Sequence, residues 1–129
     1  MIVDDEAPMR SHLRSKLKQI WPELEIIAEA QNGIVAIEEA EKFHPQIIFL
    51  DIRMPGKNGI EAAAQLAENA ILIFVTAYDE YALRAFKLNS IDYLLKPIDE
   101  DELSTAISKF KNQFQKNTIS SLDFEAIKR

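Results

Sequence analysis

A chain of 129 residues, 47% hydrophobic and 28% charged, has the size and balance of one globular domain with a single core. Its net charge of −6 argues against direct nucleic-acid binding, which needs clustered Lys and Arg, and the absence of cysteine excludes a disulfide framework and any thiolate metal site. No apolar run approaches the roughly 20 residues of a membrane span, and Met1-Ile2-Val3-Asp4-Asp5 lacks the basic and long apolar regions of a secretion signal, so a cytoplasmic location is expected.

Strand and helix patterns alternate along the chain. After a short first strand at Ile2-Val3, the residues Met9, Leu13, Leu17 and Ile20 fall on one helical face, with Arg10, Arg14, Lys16 and Lys18 on the other, until Trp21-Pro22. Glu25 to Ala30 reads as a second strand. Gly33, Ala36, Ile37, Ala40 and Phe43 then form a helical stripe that His44-Pro45 breaks. A third strand covers Ile47 to Leu50. Asn58, with Glu61 three residues on, has the spacing of a capping box and opens a helix carrying Ile60, Ala63, Ala64 and Ala67. The fourth strand is Ile71 to Val75, a short helix is expected around Glu80 to Lys87, and a fifth strand runs near Ile91 to Leu95. Asp99 with Glu102 caps a last helix striped by Leu103, Ile107, Phe110 and Phe114. Beyond Gln115 the period fades, so residues 1–115 read as the domain and 116–129 as a linker or the start of a further domain. Repeated βα units imply a parallel sheet with helices on both faces.

The polar residues at the ends of these strands carry the chemistry. Asp4 and Asp5 come after the first strand, Asp51 after the third, Thr76 after the fourth and Lys96 after the fifth. Parallel strands deliver the residues beyond their carboxyl ends to one edge of the sheet, where open α/β folds bind ligands, so three carboxylates, a hydroxyl and an ammonium should converge. Clustered carboxylates repel one another and call for a cation. Mg²⁺ suits an open acidic pocket because it prefers oxygen ligands, keeps several waters and is commonly shared with a phosphate. With the repulsion screened, the Asp51 carboxylate is a competent nucleophile toward phosphorus, with Lys96 and Thr76 placed to hold phosphoryl oxygens.

Ile2-Val3-Asp4-Asp5-Glu6, Asp51-Ile52-Arg53-Met54-Pro55 with Gly59, Thr76-Ala77 and Lys96-Pro97 together resemble the receiver domain of two-component response regulators. The resemblance implies a flavodoxin-like α/β fold, a doubly wound five-stranded parallel sheet of order 2-1-3-4-5, with a cis bond before Pro97. It implies Asp51 as phosphoacceptor for a sensor histidine kinase, and Mg²⁺ held directly by Asp5, Asp51 and the Arg53 main-chain carbonyl and by Asp4 through water. The phosphoryl group would be held by Lys96, Thr76 and the Ala77 main chain, with Thr76 and Tyr93 as the switch pair. Arg53 and Tyr78 would flank the pocket and influence access of water to the acyl phosphate. The resemblance also implies a first strand several residues longer than Met1 to Val3, and a signalling domain without separate substrate turnover. Dimerisation is expected through the fourth helix, fifth strand and last helix, a surface that includes Tyr81, Arg84 and Phe86. The stretches from Thr76 to Phe86 and from Asp92 to Pro97 are similar to receivers of LytTR-type transcriptional regulators, whose DNA-binding part would begin about where this chain ends.

Single residues have plainer readings. Asp4 and Asp5 suit a helix start, Asp51 a loop turn, Thr76 a strand end and Lys96 a solvated surface, and only their joint placement makes a site. The tyrosines read individually as packing residues, and His12 and His44 as neither phosphodonors nor metal ligands. A phosphatase of the haloacid dehalogenase type would also use an Asp nucleophile and Mg²⁺, but needs a second acid where Arg53 stands. A flavodoxin would share the fold, yet the acidic turn Asp4-Asp5-Glu6 repels a phosphate that lacks a metal. No Gly-rich loop ending in Lys-Ser or Lys-Thr is present, so a P-loop hydrolase is excluded. The remaining alternative is a receiver-like interaction module that takes no phosphate.

Overall fold

The computed structural model describes residues 1–52, 59–77 and 90–113. The sheet has five strands, β1 (Ile2–Val3), β2 (Glu29–Ala30), β3 (Ile47–Leu50), β4 (Ile71–Thr76) and β5 (Ser90–Leu95), in the order β2-β1-β3-β4-β5. All four pairings are parallel. The chain turns from β1 to β2 on one side and to β3 on the other, so the strand order reverses between β1 and β3, as expected for a doubly wound sheet.

Four helices are present among the described residues. These are α1 (Ala7–Ile20), α2 (Gly33–Phe43), α3 (Gly59–Leu66) and a final helix over 100–113. Their ends reflect local chemistry. Pro8 occupies the first turn of α1, where a missing N–H matters least. Asn32 caps α2 by accepting from the Val35 N–H at 2.8 Å. At the other end His44 takes the left-handed conformation at φ 50, and Pro45 comes next, which prevents continuation. The final helix is capped as its sequence requires, the Glu102 N–H donating to Asp99 Oδ1 at 3.0 Å. Asp4 and Asp5 do not cap α1. Its N-cap is Glu6, without a side-chain cap bond.

Side chains alternate across the strands and so build two cores. On one face Val3, Ile48, Leu50, Leu72 and Phe74 pack with Ala36 of α2 and Ile60, Ala63 and Leu66 of α3. On the other, Ile2, Phe49, Ile73, Val75 and Leu94 pack with Leu13 and Leu17 of α1, with Trp21, and with Leu103, Ala106, Ile107 and Phe110 of the final helix. Burial on both faces explains why β3 and β4 read as unbroken apolar runs rather than alternating ones.

The second strand is shorter than its sequence predicts. Glu25 to Ala30 has strand character, but only Glu29 and Ala30 pair, because among the described residues β1 is the sole neighbour of β2 and contributes only Ile2 and Val3 to the ladder. A strand is defined by its partner as much as by its own residues. The strands β4 and β5 each run one residue beyond the predicted span, to Thr76 and from Ser90. The expected helix at Glu80 to Lys87, the Asn58 cap, Phe114 and the stretch 116–129 lie outside the described residues. No helix among the described residues is long and apolar enough to cross a membrane.

Candidate functional site

At the carboxyl edge of the sheet the predicted cluster forms. The Asp51 N–H donates to Val3 O at 2.9 Å and the Asp4 N–H to Ala30 O at 3.1 Å, so both acids leave the sheet from hydrogen-bonded backbone. The Lys96 N–H likewise donates to Thr76 O at 2.8 Å, which ties the end of β5 to that of β4. The peptide bond between Lys96 and Pro97 is cis, as expected.

Lys96 closes the pocket. Its Nζ lies 2.8 Å from Asp4 Oδ2 and 3.1 Å from Asp51 Oδ2, bridging the ends of β1 and β3 from β5. Burial works against the ammonium charge, but the hydrogen bonds and negative charges of Asp4 and Asp51 outweigh it and hold the pKa above the ordinary lysine value. The ammonium is therefore charged throughout the physiological range. Asp4 and Asp51 are buried and Asp5 is exposed, so the cluster opens to solvent on the Asp5 side.

One carboxylate oxygen from each of Asp4, Asp5 and Asp51 lies within 4.8 Å of the others. Two buried atoms have no hydrogen-bond partner among the described residues, Asp51 Oδ1 and Thr76 Oγ1. Buried polar atoms are seldom left unpaired, and those that are often mark a place a ligand fills. Hard oxygen donors, an open side and an unpaired carboxylate oxygen fit Mg²⁺, which takes few protein ligands and keeps waters. An unpaired hydroxyl on the adjacent strand end fits the oxygen of an anion that joins the metal.

The remaining predicted residues are placed less centrally. Ala77 is exposed just past β4. Tyr93 is half-buried, with its ring centroid 5.9 Å from that of Phe74. Both histidines, His12 and His44, are exposed and take no part in the cluster. Arg53, Tyr78, Tyr81, Arg84 and Phe86 lie outside the described residues. Arg10 departs from its predicted solvent-facing role. Its Nη1 donates to the carbonyl oxygen of Asp4 at 2.7 Å, and its Nε lies 3.4 Å from Glu29 Oε1. Helical periodicity gave no sign of this, because it ranks faces of one element and Glu29 comes from another.

Comparison with known proteins agrees with this geometry. Residues 1–108 match the family model of the response regulator receiver domain. The chain is 43% identical over 126 residues to an uncharacterized response regulatory protein of Vibrio cholerae, covering 95% of this chain and 48% of that protein. It is 38% identical over 124 residues to the transcriptional regulatory protein BtsR of Escherichia coli, covering 95% of this chain and 52% of that one. The chain thus spans about half the length of these relatives. Among solved structures, the REC domain of AraT, a response regulator from Geobacillus stearothermophilus, superposes with a TM-score of 0.80 at 32% identity, covering 91% of this chain and 95% of that one. With sheet order, acidic edge and sequence in agreement, the chain belongs to the response regulator receiver domain family.

Proposed function

We propose that this chain is the phosphoacceptor switch of a two-component pathway, taking a phosphoryl group from a sensor histidine kinase onto Asp51. The observation that carries the reading is the pairing of one Lys96 ammonium with both Asp4 and Asp51, beside an Asp51 Oδ1 that has no partner among the described residues. An oxygen of the Asp51 carboxylate attacks phosphorus, an acyl phosphate P–O bond forms, and the donor's P–N bond breaks as its imidazole leaves and regains a proton. Mg²⁺, when bound by Asp5, Asp51 and the Arg53 carbonyl with Asp4 acting through water, supplies positive charge that offsets the phosphoryl oxygens. Lys96 exchanges a carboxylate partner for a phosphoryl oxygen. The Thr76 hydroxyl and the Ala77 N–H donate to the others.

The switched surface takes in β5 and the final helix, with Tyr93 turning as Thr76 moves toward the phosphoryl group. A ligand shifts such an equilibrium only by binding one shape better, and the phosphoryl group does so through Thr76 and Lys96. The modified chain then dimerises through that surface. The similarity to BtsR, named a transcriptional regulatory protein, supports an output in transcription through a further part of the protein, and the stretches Thr76 to Phe86 and Asp92 to Pro97 are the basis for reading that part as LytTR type. The domain itself is a cytoplasmic signalling module that turns over no separate substrate and binds no nucleic acid.

Incubation with Mg²⁺ and a small phosphodonor is expected to add one phosphoryl group by intact mass, and chelation of the metal to prevent it. A module that takes no phosphate would show no gain under either condition. Sedimentation with and without a phosphoryl mimic is expected to show a shift toward dimer, and identical profiles would remove the dimer from the reading. Lys96→Ala is expected to label about 10²-fold more slowly, the effect of losing one preorganised charge contact, and to stay monomeric once labelled. Normal dimerisation by the labelled variant would contradict the role given to Lys96.

A further inference from the structure

The two acids of the β1–α1 turn are held very differently. Asp4 is fixed at four atoms. Its N–H donates to Ala30 O at 3.1 Å, its Oδ1 accepts from the Glu6 N–H at 2.9 Å, its Oδ2 accepts from Lys96 at 2.8 Å, and its carbonyl oxygen accepts from Arg10 at 2.7 Å. Asp5 is exposed, and no hydrogen bond or ion pair holds its carboxylate among the described residues. Its direction is therefore set by its backbone. The peptide unit joining Asp4 to Asp5 is planar, so gripping the Asp4 carbonyl oxygen fixes the rotation of that plane and the position of the Asp5 Cα, while the Glu6 N–H bond to Asp4 Oδ1 restrains the backbone on the far side of Asp5.

Arg10 makes that grip from the first turns of α1. The Arg10 N–H donates to Glu6 O at 3.1 Å, which anchors the residue at the start of the helix. Its guanidinium then spans three elements, donating to the turn while facing Glu29 of β2 at 3.4 Å. Glu29 is itself engaged by Arg14, one helical turn further along α1. With Arg10 only 19% exposed and Glu29 25%, these charges are screened less than an open surface pair. The rigid planar fork of arginine suits such a bridge, and lysine, with a single charged point, cannot reproduce it.

We propose that Arg10, backed by Glu29, is a positioning residue for the metal site. It orients Asp5 toward the cation through the Asp4–Asp5 peptide plane and touches neither the metal nor the phosphoryl group. This rests on the reading that Asp5 ligates Mg²⁺. Charge and position give opposite signs for the same substitution. Arg10 is a cation near a divalent cation, so if its charge were all that mattered, removing it would tighten Mg²⁺ binding. If it orients Asp5, removing it weakens binding.

Calorimetric titration of Mg²⁺ alone, without phosphodonor, reads the difference directly. Arg10→Met is expected to raise the Mg²⁺ dissociation constant about tenfold, the lower end of the effect of losing an outer partner of a metal ligand. The rate of phosphorylation at saturating Mg²⁺ should be largely retained, so the loss appears in the metal concentration needed and not in the maximal rate. Arg10→Lys should recover only part of the affinity. Glu29→Gln, which keeps the shape of the partner and removes its charge, should move the constant in the same direction by less, and it stands in should Arg10→Met fail to fold. Equal or tighter Mg²⁺ binding by the folded variant, beside a native chain that binds, overturns the positioning role. A native chain that takes no Mg²⁺ overturns the metal reading itself.

Discussion

Asp51→Asn is expected to abolish the mass gain that the native chain shows with Mg²⁺ and a small phosphodonor. Asparagine matches the carboxylate in shape but carries no negative charge, and its amide oxygen is too weak a nucleophile to attack phosphorus. The variant should still fold. The Asp51 N–H bond to Val3 O is a main-chain bond and survives, and Lys96 keeps Asp4 as a charged partner at 2.8 Å. Loss of labelling in a folded chain therefore isolates the nucleophile from the scaffold. Intact mass and a thermal melt on the same sample make the comparison, and equal labelling of both proteins would place the acceptor elsewhere.

Phe49→Ala should be among the most damaging of the core truncations. Phe49 is 2% exposed in β3, a strand paired on both sides, and belongs to the same buried cluster as Ile2, Leu13, Leu17, Val75 and Leu103. Neighbours drawn from separate helices and strands cannot all collapse into the space, so the substitution leaves a cavity as well as losing transfer free energy. A loss of about 3–5 kcal/mol is expected. Against a total stability of about 5–15 kcal/mol for such domains, that is a large fraction. The denaturation midpoint in urea should fall with the slope unchanged, whereas a loss under about 1 kcal/mol would mean that the β3 face repacks freely.

How much of the fold and site is legible in the sequence depends on the range of the forces involved. The C-terminal end of α1, the Asp99 cap and the apolar runs of β3 and β4 arise from neighbouring residues, so period and capping chemistry locate them closely, whereas the start of α1, at the N-cap Glu6, has no side-chain cap to mark it. The convergence of Asp4, Asp51, Thr76 and Lys96 is legible for a different reason. Parallel strands bring their carboxyl ends together whatever fills the loops, so four local observations imply one distant contact. Glu25 to Ala28 mislead because a strand's length is decided by the partner's ladder, which its own residues do not encode. Arg10 misleads because Glu29, 19 positions away, lies on β2, and nothing in the α1 pattern distinguishes an arginine folded back over a turn from one in water. Glu80 to Lys87, on which much of the expected output surface rests, lies outside the described residues.

Thr76 has a quantitative consequence for signalling. Its hydroxyl is fully buried without a partner among the described residues, a state that costs about 1–3 kcal/mol relative to a bonded one. In the proposed mechanism a phosphoryl oxygen relieves that cost, enough to change the ratio of two shapes by about 5–150-fold. Near-complete inversion, from about 1:99 to 99:1, needs about 5.5 kcal/mol. In that mechanism one satisfied hydroxyl tilts the balance without completing it, which leaves Lys96 and the ring of Tyr93 to contribute the remainder of the shift.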